Sequence, residues 1–131
     1  VSYNIDGVDK LQLSPEVIAK IFQREIKKWN DPAIAKDNAG VKLPAADIVV
    51  AHRSDGSGTT QQFTLYLDKA AAGVWKLKSG STVEWPADTQ AGNGNSGVAQ
   101  IVKNTKGAIG YVSAGLLGIW ILIGILRSGQ L

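Results

Sequence analysis

The chain has no cysteine and no methionine, and only one histidine, His52. Without cysteine there is no disulfide framework and no thiolate chemistry. One imidazole and no thiol exclude the usual ligand sets for a structural or catalytic zinc. No metal site and no cofactor are expected. No Gly-Lys-Ser/Thr occurs, which excludes a phosphate-binding P-loop. Asp55 and Thr59 stand where a Gly-x-Ser-x-Gly hydrolase elbow around Ser57 would need glycine. No acidic residue follows Asp88. Gly92, Gly94 and Gly97 thus lack the downstream acid of a dinucleotide fingerprint, and Trp85-Pro86 precedes them instead of a strand. Cationic clustering is also absent. The net charge is +3 and the basic residues are scattered apart from Lys27-Lys28, so no nucleic-acid partner is expected.

What remains is a chain of 131 residues, 44% hydrophobic and 19% charged, enough for one folded domain with a core. It begins at Val1, which reads as a processed, cleaved or partial chain.

The most informative segment is Arg53-Ser54-Asp55-Gly56-Ser57-Gly58-Thr59-Thr60. The apolar run Ile48-Val49-Val50-Ala51 before it reads as a strand buried on both faces. After it, Phe63, Tyr66 and Leu67 fall on one face of a helix. The segment therefore joins a strand's C-terminal end to a helix N-terminus, where α/β folds gather ligands. A helix start offers unpaired N–H groups and a partial positive charge. Gly56 and Gly58 admit a close approach, and Ser57, Thr59 and Thr60 add hydroxyl donors. Arg53 supplies a planar fork for phosphate or carboxylate. A simpler reading stands beside this one: Ser57 is an ordinary helix cap, and Arg53 and Asp55 form a surface ion pair.

Elsewhere, Val1–Ile5 alternates as a short strand. Ser14-Pro15-Glu16 opens a helix whose stripe is Val17, Ile18, Ile21 and Phe22, with Ile26 and Trp29 extending it after a break. Asp31-Pro32 opens a shorter helix containing Ile34. Gly92–Gly97 reads as a mobile or ligand-facing loop, and Ser96 as the cap of a helix carrying Val98, Ile101 and Val102. Ala108–Val112 is a second apolar strand. Trp29, Trp75, Trp85 and Tyr111 offer faces that could stack on a sugar or base, but they sit in apolar settings and read as core or rim. His52, at a strand end, reads as a packed or surface residue, with a base for Ser57 as its alternative role. The 13 apolar residues Ala114–Leu126 are short of the ~20 that a membrane helix needs. They read as a buried element, a partner surface, or a sequence unfaithful to the natural gene. The order of elements predicts an α/β architecture, a mixed sheet flanked by helices.

Four ordered segments carry a resemblance. They are Ile26-Lys27-Lys28-Trp29-Asn30-Asp31-Pro32-Ala33-Ile34, the Arg53–Thr60 segment, Gly80-Ser81-Thr82-Val83-Glu84-Trp85-Pro86, and Gly107-Ala108-Ile109-Gly110-Tyr111-Val112. Over Leu11 to Val112 the chain resembles the substrate-binding proteins of bacterial high-affinity phosphate ABC transporters. The resemblance implies a type II periplasmic binding fold, with two α/β lobes closing on the ligand. Residues 1–112 match most of the second lobe, and 113–131 form an apolar tail that does not align. It implies phosphate contacts at Arg53, Ser57, Gly58 and Thr59, with Asp55 orienting the arginine and Thr60 outside the ligand set. It implies no catalysis and no cofactor. The implied partners are inorganic phosphate, a membrane permease and the first lobe of the same protein. The implied location is periplasmic or extracellular, free or membrane-anchored in the full-length protein. A serine-dependent phosphatase or hydrolase, and a phosphate-sensing or adhesion protein, are the alternative functions.

Overall fold

A computed structural model of the protein describes residues 1–8 and 11–112. The apolar tail falls outside these described residues. The elements run β1 (Ser2–Tyr3), α1 (Pro15–Phe22), α2 (Pro32–Ala35), β2 (Val49–Arg53), α3 (Gly58–Ala70), β3 (Gln90–Gly92), α4 (Gly94–Asn104) and β4 (Ala108–Gly110).

The four strands form one sheet in the order β1-β4-β2-β3. β2 lies inside it and pairs in parallel with β4 on one side and β3 on the other. β1 joins antiparallel at the β4 edge, so the sheet is mixed. β2 is interior because its side chains have apolar partners above and below. Val50 is fully buried among the residues packed by α1 and α3, while Ala51 is fully buried among Val98 and Val102 of α4. Helices therefore cover both faces.

The larger core centres on Phe22, Trp29, Ile48, Leu67, Ile109 and Tyr111. Trp29 is completely buried, and its indole N–H donates to the Gly107 carbonyl at 2.9 Å. α1 starts as its sequence requires: Ser14 accepts the Val17 N–H at 3.2 Å, with Pro15 next in line. α1 stops at Gln23, and Arg24 turns the chain with φ 64. The Arg24 guanidinium is tied down by Ile48 O at 2.7 Å and Asp88 Oδ2 at 3.0 Å. At the other end of the chain, the Asn4 amide donates to the Val102 and Lys103 carbonyls, capping the last turn of α4.

Several elements depart from the sequence expectations. β2 runs on to Arg53, and α3 begins at Gly58, immediately after Ser57. Tyr66 is 48% exposed, off the inward stripe. Leu67 faces inward as expected, and Thr60 and Thr64 share that face. Two threonines are tolerated there because each hydroxyl is paired: Thr64 donates to Thr60 O at 2.7 Å, and Thr60 meets the Tyr111 hydroxyl at 2.8 Å. Residues 92–97 are not a loop but the end of β3 and the start of α4. The cap of α4 is Asn93, and Ser96 lies within the helix. The physical reason is proximity: a Cβ on Gly92 would lie 2.7 Å from Gly97 C and Val98 N. Only glycine lets β3 turn directly under its helix.

Candidate functional site

Because β2, β3 and β4 run parallel to one another, their C-terminal ends share one edge of the sheet. α3 and α4 both start from that edge, and Tyr111 follows β4 there. Arg53, the last residue of β2, faces this shared rim, in register with Gly92 of β3.

The Arg53 guanidinium is held from two sides. Nε donates to Asp55 Oδ1 at 2.8 Å and Nη2 to Asp55 Oδ2 at 2.7 Å, a two-point grip. Nη1 donates to Asn95 Oδ1 at 3.1 Å. A guanidinium has five N–H groups, so this geometry leaves one on each terminal nitrogen for another acceptor. The Arg53 side chain is only 10% exposed and Asp55 40%. This is not the ordinary surface pair of the simpler reading, because a guanidinium so withdrawn from water depends on fixed acceptors.

Electrostatics follow the contacts. The Arg53 guanidinium, and then the Gly94 N–H, hold the Asp55 carboxyl well below the usual aspartate range. The same pairing raises Arg53. Since the folded value of Asp55 lies below its unfolded value, its contribution to stability is full above about pH 4. It is lost as pH falls further toward the folded value. Melting curves of the chain and of Asp55→Asn are expected to differ at neutral pH and to converge in acid. Parallel curves from pH 7 down to pH 2 would contradict this.

At the start of α3, Ser57 accepts the Thr60 N–H at 2.8 Å, and its carbonyl accepts the Gln61 N–H at 3.2 Å. Of the first four amides of the helix, those of Gly58 and Thr59 remain. Gly58 is exposed, and a Cβ there would meet nothing within 4 Å. Packing among the described residues therefore does not require glycine at 58. The Ser57 hydroxyl donates to Thr60 Oγ1 at 2.8 Å, and the Ser57 N–H donates to Ser81 O at 2.9 Å. Tyr111 closes the network by accepting the Arg53 N–H at 3.2 Å. Burial raises its hydroxyl pKa, which keeps it protonated.

Beside this loop lies a cleft of about 280 Å³ whose walls include Arg53, Asp55, Thr60, Ser81, Thr82 and Trp85. Trp85 is half-buried and stacks on His52, with ring centroids 5.1 Å apart. The His52 nitrogens meet Arg53 O at 3.0 Å and Thr89 Oγ1 at 2.9 Å, and neither hydrogen-bonds Ser57. Burial lowers the His52 pKa. The structure thus strings Arg53, Asp55, Ser57, Gly58 and Thr59 along the passage from the end of β2 to the start of α3, but it does not join Ser57 to His52. Trp29 and Trp75 are buried in the core. Asn95 and the Tyr111 hydroxyl are the participants that sequence reasoning missed. Asn95 stood in the glycine-rich stretch read as a loop, and Tyr111 was read only as an apolar ring.

The family model described as the PBP superfamily domain matches residues 1–118. The chain is 54% identical over 105 residues to the phosphate-binding protein PstS of Pasteurella multocida, covering 79% of this chain and 30% of that protein. It is 48% identical over 113 residues to the phosphate-binding protein PstS of Xylella fastidiosa, covering 83% of this chain and 30% of that protein. The chain thus spans about a third of the length of these relatives. Among solved structures, it matches a high-affinity periplasmic phosphate-binding protein, PfluDING, bound with phosphate. That match has a TM-score of 0.69 and 28% identity, and covers 86% of this chain and 30% of that one. A phosphate-binding protein from Stenotrophomonas maltophilia matches with a TM-score of 0.67 and 26% identity, covering 85% of this chain and 33% of that one.

Proposed function

Because the chain belongs to the PBP superfamily and carries a mixed-sheet α/β lobe of the type II periplasmic-binding fold, we propose that it binds inorganic phosphate as one lobe of the solute-binding component of an ABC-type importer. The observation that carries this reading is the half-satisfied guanidinium of Arg53. It is withdrawn from water and braced by Asp55, and it stands at the end of β2, five residues ahead of α3, whose first amides are those of Gly58 and Thr59. The ligand set is Arg53, Ser57, Gly58 and Thr59, with Asp55 holding the fork and Thr60 behind it. Residues 1–112 act as the second lobe. A first lobe supplies the opposing donors, and a membrane permease receives the ion outside the cytoplasm.

Binding proceeds without turnover. The nitrogens of His52 are engaged by Arg53 O and Thr89 Oγ1, so His52 does not serve Ser57 as a base. A loose set of two or three charge-assisted hydrogen bonds, each worth about 1.5–3 kcal/mol, places the affinity of this lobe alone near the millimolar range.

Titration of the chain with phosphate and sulfate, followed by amide NMR, tests the proposal. The Gly58 and Thr59 amide signals are expected to shift with phosphate. Ser57→Ala is expected to weaken that response and to cost about 1 kcal/mol of stability through the lost cap. Silence of both amides at tens of millimolar phosphate would overturn the proposal. Ser57-dependent release of a chromophore from a phosphate ester would overturn the absence of turnover.

A further inference from the structure

Asn95 is the second residue of α4, yet its side chain serves the end of β2. Its Oδ1 accepts a hydrogen bond from Arg53 Nη1 at 3.1 Å. A guanidinium only donates, so the amide must present oxygen to it, and the orientation of Asn95 is thereby fixed. The residue before it reinforces the link. The Gly94 N–H donates at 3.3 Å to Asp55 Oδ1, the same oxygen that accepts Arg53 Nε. Arg53, Asp55, Gly94 and Asn95 thus form a closed ring joining the β2 loop to the first turn of α4.

We infer that Asn95 is a positioning residue for the anion-binding guanidinium, fixing the far end of the fork without subtracting from its charge. The inference deepens the phosphate reading and rests on it. Asp55 alone grips one side of the fork, at Nε and Nη2. A second contact at Nη1 removes the remaining swing. The chemical nature of that contact matters. One carboxylate already balances the guanidinium charge. A second at position 95 would hold the fork at least as firmly but leave the cluster negative, facing an anion. A neutral acceptor gives the grip without the repulsion.

That contrast separates positioning from a merely structural role. Asn95→Asp places an acid in the first turn of α4, which the helix dipole favours, and retains an acceptor for Nη1. A merely structural role therefore expects an unchanged or higher melting temperature together with unchanged phosphate affinity. The positioning role expects the same melting temperature with affinity lowered about tenfold or more, the scale of one charge-assisted contact. Asn95→Ala is expected to lower affinity by a similar factor through loss of the grip.

The experiment uses the full 131-residue chain, with inorganic phosphate and sulfate as probes and NMR of the arginine side chains as a reading that needs no ligand. Ligand-free, Arg53 is expected to show slowed rotation of its Nη groups. That signature should persist in Asn95→Asp and average out at Nη1 in Asn95→Ala. An Asn95→Ala chain with an unaltered Nη pattern, or an Asn95→Asp chain that binds phosphate as the unaltered chain does, overturns the inference. A chain with slowed Nη rotation that ignores phosphate overturns the phosphate reading, and the positioning role with it. The two failures leave different signatures.

Discussion

Arg53→Ala is expected to remove phosphate binding from the measurable range, a loss of at least about a hundredfold. The magnitude follows from two charge-assisted hydrogen bonds lost together, each worth about 1.5–3 kcal/mol, where 1.4 kcal/mol is tenfold in affinity. The fold should survive. The deserted Asp55 carboxylate is 40% exposed, so water can solvate it, and its contact with the Gly94 N–H remains available. Arg53→Lys distinguishes charge from shape. It retains the cation but offers no planar fork to Asp55 and Asn95 at once, so an intermediate affinity is expected. Calorimetry or amide titration of the three chains, with melting curves alongside, makes the comparison. An Arg53→Ala chain that binds phosphate normally would leave the anion cradle without its central group and overturn the reading.

Gly92→Ala is expected to produce the largest loss of stability relative to the size of the change, one methyl group. The added carbon would sit 2.7 Å from two backbone atoms, Gly97 C and Val98 N. Neither belongs to a flexible side chain, so relief requires α4 to lift from β3. Overpacking of this kind costs about 1–3 kcal/mol and occasionally more, and the value here is expected near the upper end. For a domain of this size that is a fall of roughly 10 °C in Tm. The effect should reach the site too, because the lifted turn carries Gly94 and Asn95. Denaturant unfolding checks the first part and phosphate titration the second. Stability within about 0.5 kcal/mol of the unaltered chain would show that the strand–helix turn yields more readily than its geometry implies.

The parts of the fold that were legible in the sequence are those fixed by local chemistry. The start of α1 was written in Ser14-Pro15-Glu16, and that of α2 in Asp31-Pro32, where the Asp31 carboxylate accepts the Ala33 N–H at 2.8 Å. The interior position of β2 was legible in its unbroken apolar run, as far as Ala51. β3 was not legible. Gln90-Ala91-Gly92 contains no β-branched or aromatic residue, and it is a strand only because β2 lies alongside it. The inward face of α3 was misread at Tyr66 because threonine counts as polar in a pattern, whereas Thr60 and Thr64 bury hydroxyls that find partners. Within the candidate site, the Arg53–Thr60 residues stood out because they are contiguous. Asn95 and Tyr111 were not, because they meet Arg53 across 42 and 58 residues. Nothing in the local chemistry of either position announces such a meeting.

Order of synthesis gives the Tyr111 brace a temporal meaning. The chain leaves the ribosome from its N-terminal end, so Arg53 emerges 58 residues ahead of Tyr111. At about 5–20 residues per second, that interval lasts roughly 3–12 s. Throughout it, the backbone of Arg53 lacks its hydroxyl acceptor, and β2 lacks the neighbour on its β4 side. The Arg53–Thr60 segment is made midway through residues 1–112 and is among the last parts of them to be finished. A nascent chain halted between Thr60 and Tyr111 would carry every residue of the Arg53–Thr60 segment without the hydroxyl that braces the Arg53 backbone.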